Sequence, residues 1–213
     1  MLLLYSIGLL LIVTAARIRI CSSSNPGTVR ILQLGEPSLR EPCKEVNLEE
    51  IVNIGSSTHL YKIRKDLHEA LNDFQKSHGF GRAIAAPQIG HNIRMIAMKL
   101  SPQEPAITLY NPKIVDKSAE CVDIWDDCFS FPNLMVRVSR HNRIRVCFIN
   151  DWGEEKTWDC SDIAISELVQ HEIDHLDGIL AIDRALPDLP ECPSIIDRKE
   201  WLENRIHYGK FVS

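Results

Sequence analysis

The five residues His171-Glu172-Ile173-Asp174-His175 constrain this chain more than any others. Two imidazoles four residues apart stand on one face of a helix and can hold one metal ion, so the segment reads as helical. Glu172 then sits beside the ion's water, where a carboxylate can take a proton and later return it to a leaving amine. The chemistry implied is hydrolysis of an amide or ester.

Two histidines leave such a site one ligand short, because catalytic zinc usually takes three protein ligands and keeps one position open. Ala181 stands where the metzincin spacing needs a third histidine, which excludes that pattern. Glu191 and Glu200 are the carboxylates available to a thermolysin-like site, in a charged, proline-punctuated tail. Cys128, within Trp125-Asp126-Asp127-Cys128-Phe129-Ser130-Phe131-Pro132, is the better candidate, since a thiolate with two imidazoles suits Zn²⁺ or Fe²⁺. Upstream, the segment from Gly81 to Gly90 is rich in small residues that let backbone approach a ligand closely. Its one amide side chain, Gln88, can donate to a developing oxyanion.

In this order the three segments resemble the peptide deformylase family. Its motifs are Gly-x-Gly-[Leu/Ile]-Ala-Ala-x-Gln, Glu-Gly-Cys-[Leu/Val]-Ser and Gln-His-Glu-x-Asp-His, and the third is complete here from Gln170 onward. The resemblance runs from about Val29, through Leu109 to Ile114, to Arg184. It implies a deformylase-like α+β fold, with antiparallel sheets packed around a central metal-binding helix. It also implies removal of the formyl group from the N-terminal methionine of new polypeptides. Cys128, His171 and His175 would hold one divalent ion, Fe²⁺ in the cell with Zn²⁺ as a less active substitute. Glu172 would be base and then acid, and Gln88 with the Phe129 N–H would hold the oxyanion. The backbone of Gly81, Arg82 and Ala83 would pair with the substrate. The partners implied are formylated nascent peptides and, for an organellar enzyme, its ribosome.

Departures from these motifs carry their own expectations. Ala83 replaces the second glycine of the first motif, with Arg82 before it; in the second, Asp126 replaces Glu, Asp127 replaces Gly and Phe129 replaces an aliphatic residue. Asp126 is one methylene shorter, so the hydrogen bond of the family's Glu is expected to be strained or lost. That opens an alternative, a weak or inactive deformylase-like protein that binds metal or formylated N-termini. Arg82 taken singly reads as a solvated charge and Asp126-Asp127 as an acidic turn. If instead the first and second motifs face each other, Arg82 is expected to pair with Asp126 or Asp127.

A chain of 213 residues, 45% hydrophobic and without repeats, suits one domain. Its net charge of −5 offers no basic surface of the kind that binds bare nucleic acid. Seven cysteines, odd in number and scattered, suit a reducing compartment. Residues 1–27 read as a separate segment: an apolar run from Met1 to Thr14, then Arg17 and Arg19, with no acidic residue before Glu36. An acid-free, arginine-containing lead suits transit to a mitochondrion or other organelle; the apolar run also suits a membrane anchor or secretory signal. The family resemblance favours the organelle, leaving 28–213 as the catalytic domain.

Leu60, Ile63, Leu67, Leu71 and Phe74 form a helical stripe that ends at Gly79. Short β-rich runs lie at Ile93 to Lys99, Thr108 to Tyr110, Lys113 to Val115, Val136 to Val138 and Ile144 to Ile149. Ser161-Asp162 can cap a helix running to Asp177, stopped by Gly178. Ser194 to His207 reads as a last helix with Ile195, Leu202 and Ile206 on one side.

Overall fold

The computed structural model describes residues 28–101 and 103–212; the expectations for residues 1–27 lie outside them. Helix α1 (Leu48–Val52) is short, and α2 (His59–His78) is the long stripe-bearing helix. Thr58 caps α2 by accepting from the Tyr61 N–H, and Gly79 ends it in the left-handed region at φ 75°. All five stripe residues are buried, against Ile84, Met95, Ala97 and Tyr110 of the neighbouring sheet.

Two antiparallel sheets carry the site. The larger runs in the order β1 (Ala83–Ala85), β2 (Met95–Met98), β3 (Ile107–Lys117), β6 (Ile144–Ile149) and β7 (Glu155–Cys160). The smaller is β4 (Cys121–Asp126), β5 (Leu134–His141) and β8 (Ile195–Asp197). Helix α3 (Ile163–Leu176) lies between them. Its outer turns pack on Ile96, Leu109, Ile144 and Val146, and it is buried along its whole length from Leu168. Asp162 is its cap, accepting from the Ala164 N–H at 2.8 Å, and Gly178 turns the chain away at φ 73°. This is the expected α+β arrangement around a metal-motif helix.

Local differences have local causes. The two runs at 108–110 and 113–115 form one strand, β3, with an irregularity at Asn111, which takes φ 50°. Asn111 is held there because its side chain accepts from the Val46 N–H and donates to the Val46 carbonyl, both at 2.8 Å. The expected last helix is instead β8 followed by α4 (Arg198–Glu203) and α5 (Arg205–Tyr208), separated at Asn204 (φ −119°). Its proposed apolar side faces water, with Ile206 88% exposed. The segment is anchored by Ile196 and Tyr208 instead.

Candidate active site

Cys128 follows β4 directly, while His171 and His175 project from consecutive turns of α3. Their ligand atoms all lie within 4.8 Å of one another, and all three residues are buried. The Sγ of Cys128 is 3.2 Å from Nε2 of His175. Nδ1 of His171 is turned away, toward Asp126 at 3.0 Å, which leaves its Nε2 for the site. One sulfur and two imidazole nitrogens converging on a point is the donor set of a tetrahedral site with an open fourth position, so the residues present fit a divalent ion. Glu191 and Glu200 lie elsewhere: Glu200 accepts from the Tyr208 hydroxyl at 2.5 Å, and the Glu191 carbonyl meets His207.

Glu172 is 3% exposed, and its Oε2 has no hydrogen-bond partner among the described residues. Burial pushes its carboxyl up to about 7, against the opposing pull of His171. It is therefore a carboxylate of unusually high proton affinity whose buried oxygen is uncommitted among the described residues. Gln88 is pinned at the end of β1: its Oε1 accepts from the Ala85 N–H at 2.9 Å, so its Nε2 points at Ser130 Oγ (3.2 Å) and Cys128 Sγ (3.5 Å). The Phe129 N–H makes no hydrogen bond within the described residues, while the Phe129 carbonyl accepts from Gln33.

Asp126, one methylene shorter than the Glu of the motif, is not left without partners. Asp126 ends β4 opposite Val136 of β5, close enough to α3 for the shorter carboxylate to reach both His171 and Arg140, the latter at 2.9 Å. Burial alone would raise this carboxyl, yet His171 and Arg140 together hold it down at about 2. Sequence reasoning missed Arg140. It is 3% exposed and also donates to Asp174 at 2.5 Å, and Asp174 in turn receives two bonds from Arg184. Thus Asp174, the aspartate fixed in the histidine motif, ties α3 to β5.

Arg82 does not pair with Asp126 or Asp127, correcting that expectation. Its guanidinium reaches across to α3, where it bonds Glu167 and the Ala164 carbonyl. Asp126 is already committed to Arg140, and Asp127 is taken by Arg198 of α4. Gly81 is held at φ 94°, and a Cβ there would stand 2.0 Å from the Phe129 ring, so the aromatic in the second motif and the glycine in the first are one packing unit. Phe129 also stacks on Phe74 of α2, ring centres 3.6 Å apart. The Arg82 carbonyl accepts from the Lys99 N–H at 2.7 Å and the Gly81 carbonyl from Gln75. Strand alternation on the open edge of β1 then leaves the main-chain groups of Ala83 directed to the cleft. A cavity of about 430 Å³ joins these features, lined by Gly81, Gln88, Cys128, His171 and Glu172 on one side and by Trp125, Arg198 and Trp201 on the other.

Residues 28–189 match the polypeptide deformylase family model. The chain belongs to the peptide deformylase family. A protein of the cyanobacterium Nostoc named peptide deformylase 2 is 33% identical over 173 residues, covering 78% of this chain and 90% of that one. The solved peptide deformylase of Thermotoga maritima is 31% identical with a TM-score of 0.63, over 75% of this chain and 99% of its own. An Acinetobacter baumannii deformylase solved with Met-Ala-Ser bound is 27% identical, also at 0.63, over 74% and 98%. This chain is accordingly a metal-dependent hydrolase that removes the formyl group from N-terminal formyl-methionine of newly made polypeptides. Asp126, short as it is, still reaches both His171 and Arg140. Among the described residues no helix is long and apolar enough to cross a membrane.

Proposed function

We propose that deformylation is carried out by Cys128, His171 and His175 as ligands, Glu172 as the proton carrier, and Gln88 with the Phe129 N–H as oxyanion donors. The observation that carries this reading is the convergence of three buried soft and borderline ligands beside a carboxylate oxygen that has no partner among the described residues. When bound, the divalent ion supplies Lewis acidity to the carbonyl and to water. Glu172 takes a proton at Oε2 and delivers it to the departing amine nitrogen. Gln88, its amide orientation set by the Ala85 N–H, donates from Nε2 where negative charge develops on the formyl oxygen, and the unengaged Phe129 N–H supplies a second donor. Asp126 fixes the tautomer of His171, and Arg140 fixes Asp126. Ala83 pairs with the substrate main chain, flanked by Gly81 and Arg82.

The ion is Fe²⁺ in the cell, with Zn²⁺ a less active substitute. The sulfur ligand supports a borderline to soft cation. Residues 1–27 are an address for a mitochondrion or other organelle where formyl-methionine starts translation and nascent chains leave the organellar ribosome; cyanobacterial relatives support an organelle of bacterial ancestry.

The test is an anaerobic deformylation assay on a formyl-methionyl peptide with Fe²⁺, Ni²⁺ or Zn²⁺ reloaded. Cys128→Ala and His171→Ala are expected to lose stoichiometric metal. Glu172→Ala is expected to keep it while turnover falls about 10²- to 10⁴-fold. Full metal retention in Cys128→Ala, or unchanged turnover in Glu172→Ala, overturns the assignment. Fusing residues 1–27 to a reporter tests the address; recovery of the reporter in the medium overturns it.

A further inference from the structure

The cavity has a wall that the family match does not include. Residues past 189 return to the site as β8, whose Ile196 lies opposite Met135 of β5, and the Arg198 N–H then donates to the Asn133 carbonyl at 2.7 Å. This places Arg198 and Trp201 on the cavity that also holds Cys128, His171 and Glu172. The Arg198 guanidinium sits 3.4 Å over the Phe80 ring and pairs through Nη1 with Asp127, beside the ligand cysteine. The C-terminal segment therefore touches both the approach to Gly81 and the Cys128 loop.

Resting on the deformylase reading above, we infer that Arg198 and Asp127 together form a subsite for the main chain of the peptide beyond the formylated residue. Arg198 donates to a substrate carbonyl and Asp127 accepts from a substrate N–H. A guanidinium offers five N–H donors in a fixed fork. Only Nη1 of Arg198 is engaged, by Asp127 and, at 3.4 Å, by the Met135 sulfur. Nε, Nη2 and the Asp127 Oδ1 make no other hydrogen bond among the described residues and are not sealed from solvent. The side chains are partly open, 18% for Arg198 and 31% for Asp127. The pair is neutral as a unit, so it suits the alternating donors and acceptors of an extended backbone better than an acidic side chain, which Asp127 would repel. The Phe80 ring beneath the guanidinium fixes its plane, so little freedom is lost when the carbonyl arrives.

The test uses the full chain and two substrates, formyl-Met-Ala-Ser and formyl-methionine amide, which ends before the subsite. For Arg198→Met, which keeps a long side chain over Phe80, the ratio of kcat/KM for the tripeptide to that for the amide is expected to fall about tenfold, carried by KM. Asp127→Asn keeps an acceptor and is expected to shift the ratio less than Asp127→Leu. Calorimetric binding of the product Met-Ala-Ser is expected to weaken in parallel in Arg198→Met, a readout that does not require turnover. An unchanged ratio with unchanged Met-Ala-Ser affinity overturns the subsite, as does an equal loss on both substrates, which marks a purely structural pair. Absence of turnover by the wild type on either substrate, with Met-Ala-Ser affinity still lowered in Arg198→Met, counts against the deformylase reading and not against the subsite.

Discussion

The two sides of the metal motif are built on different physics. Behind the ligands lies a chain of buried charges, from His171 to Asp126, Arg140 and Asp174, which ends on the half-exposed Arg184; Arg140 and Asp126 are almost wholly out of water. In front, toward the cavity, the ion pairs Arg82–Glu167 and Arg198–Asp127 stand partly in solvent, and an apolar stack of Phe129 on Phe74 fills the gap under Gly81. A buried charge network is intolerant of losing one member, since the others are left uncompensated in a medium that solvates them poorly. A half-open pair is replaced by water at little cost. The contrast suits the two tasks: the rear fixes the orientation of His171, and the front has to admit a peptide.

The largest expected effect breaks the rear. Arg140→Met strips one counter-charge from both Asp126 and Asp174, and is expected to cost about 3–5 kcal/mol in denaturant unfolding. Arg82→Met at the front is expected to cost under about 1 kcal/mol at pH 6, where Glu167 is largely protonated. Equal losses for the two would abolish the distinction drawn between the two sides.

Next in size is Gly81→Ala, which probes packing in front rather than charge. A side chain at φ 94° is strained, and its Cβ would meet Phe129 Cε1 at 2.0 Å, so a loss of about 3 kcal/mol is expected. Phe129→Leu, the family's own kind of residue, is expected to relieve part of it. The double-mutant cycle should show coupling of about 1 kcal/mol or more; strict additivity would mean that ring and glycine are unrelated.

What could be read in advance follows the same division. The motif on α3 was legible because ligand spacing and helix spacing coincide, and Cys128 because its flanking residues fall in the order of a known family. The stripe on α2 was legible from its period. Ion-pair partners were not: Arg82 and Glu167 are 85 positions apart, Arg198 and Asp127 71, and choosing among carboxylates needs the tertiary path. Four strands, β1, β4, β7 and β8, escaped as well, β1 and β8 being only three residues long. In β7 only Cys160 is buried, so the run Glu155-Lys156-Thr157-Trp158-Asp159 carries no apolar alternation, and β4 reads as a mixed stretch leading into an acidic turn. The last helix was misjudged because Asn204 breaks what a smooth period would continue.

A smaller effect sharpens the front's dependence on pH. Burial, reinforced by Asp126, pushes the Glu167 carboxyl up to about 7 despite Arg82. An unfolded Glu titrates near ~4.3, so between these values the folded chain binds more proton than the unfolded one. Its contribution to stability is therefore complete below ~4.3 and is lost as pH rises through about 7. Glu167→Gln is expected to remove a decline on the order of 2 kcal/mol between pH 5 and 8, read as parallel melting curves. A wild-type slope left intact in that variant would place the titrating group elsewhere.

The smallest effect belongs to the C-terminal segment, where position along the chain suggests importance and burial denies it. Ile206 lies on α5 in the segment that also brings Arg198 to the cavity, yet it is 88% exposed. Ile196, in the same segment, is 5% exposed and packs with Met135, Cys192 and Tyr208. Ile206→Lys is expected to change unfolding free energy by less than about 0.5 kcal/mol, since no contact or cavity is lost. Ile196→Ala is expected to cost about 2 kcal/mol or more and to loosen β8 from β5, carrying Arg198 away from Phe80. Weakened Met-Ala-Ser binding in Ile196→Ala alone would tie the cavity's outer wall to the β8 anchor. A comparable loss in Ile206→Lys would mean that the exposed face of α5 has a role in holding the segment which its solvent contact does not reveal.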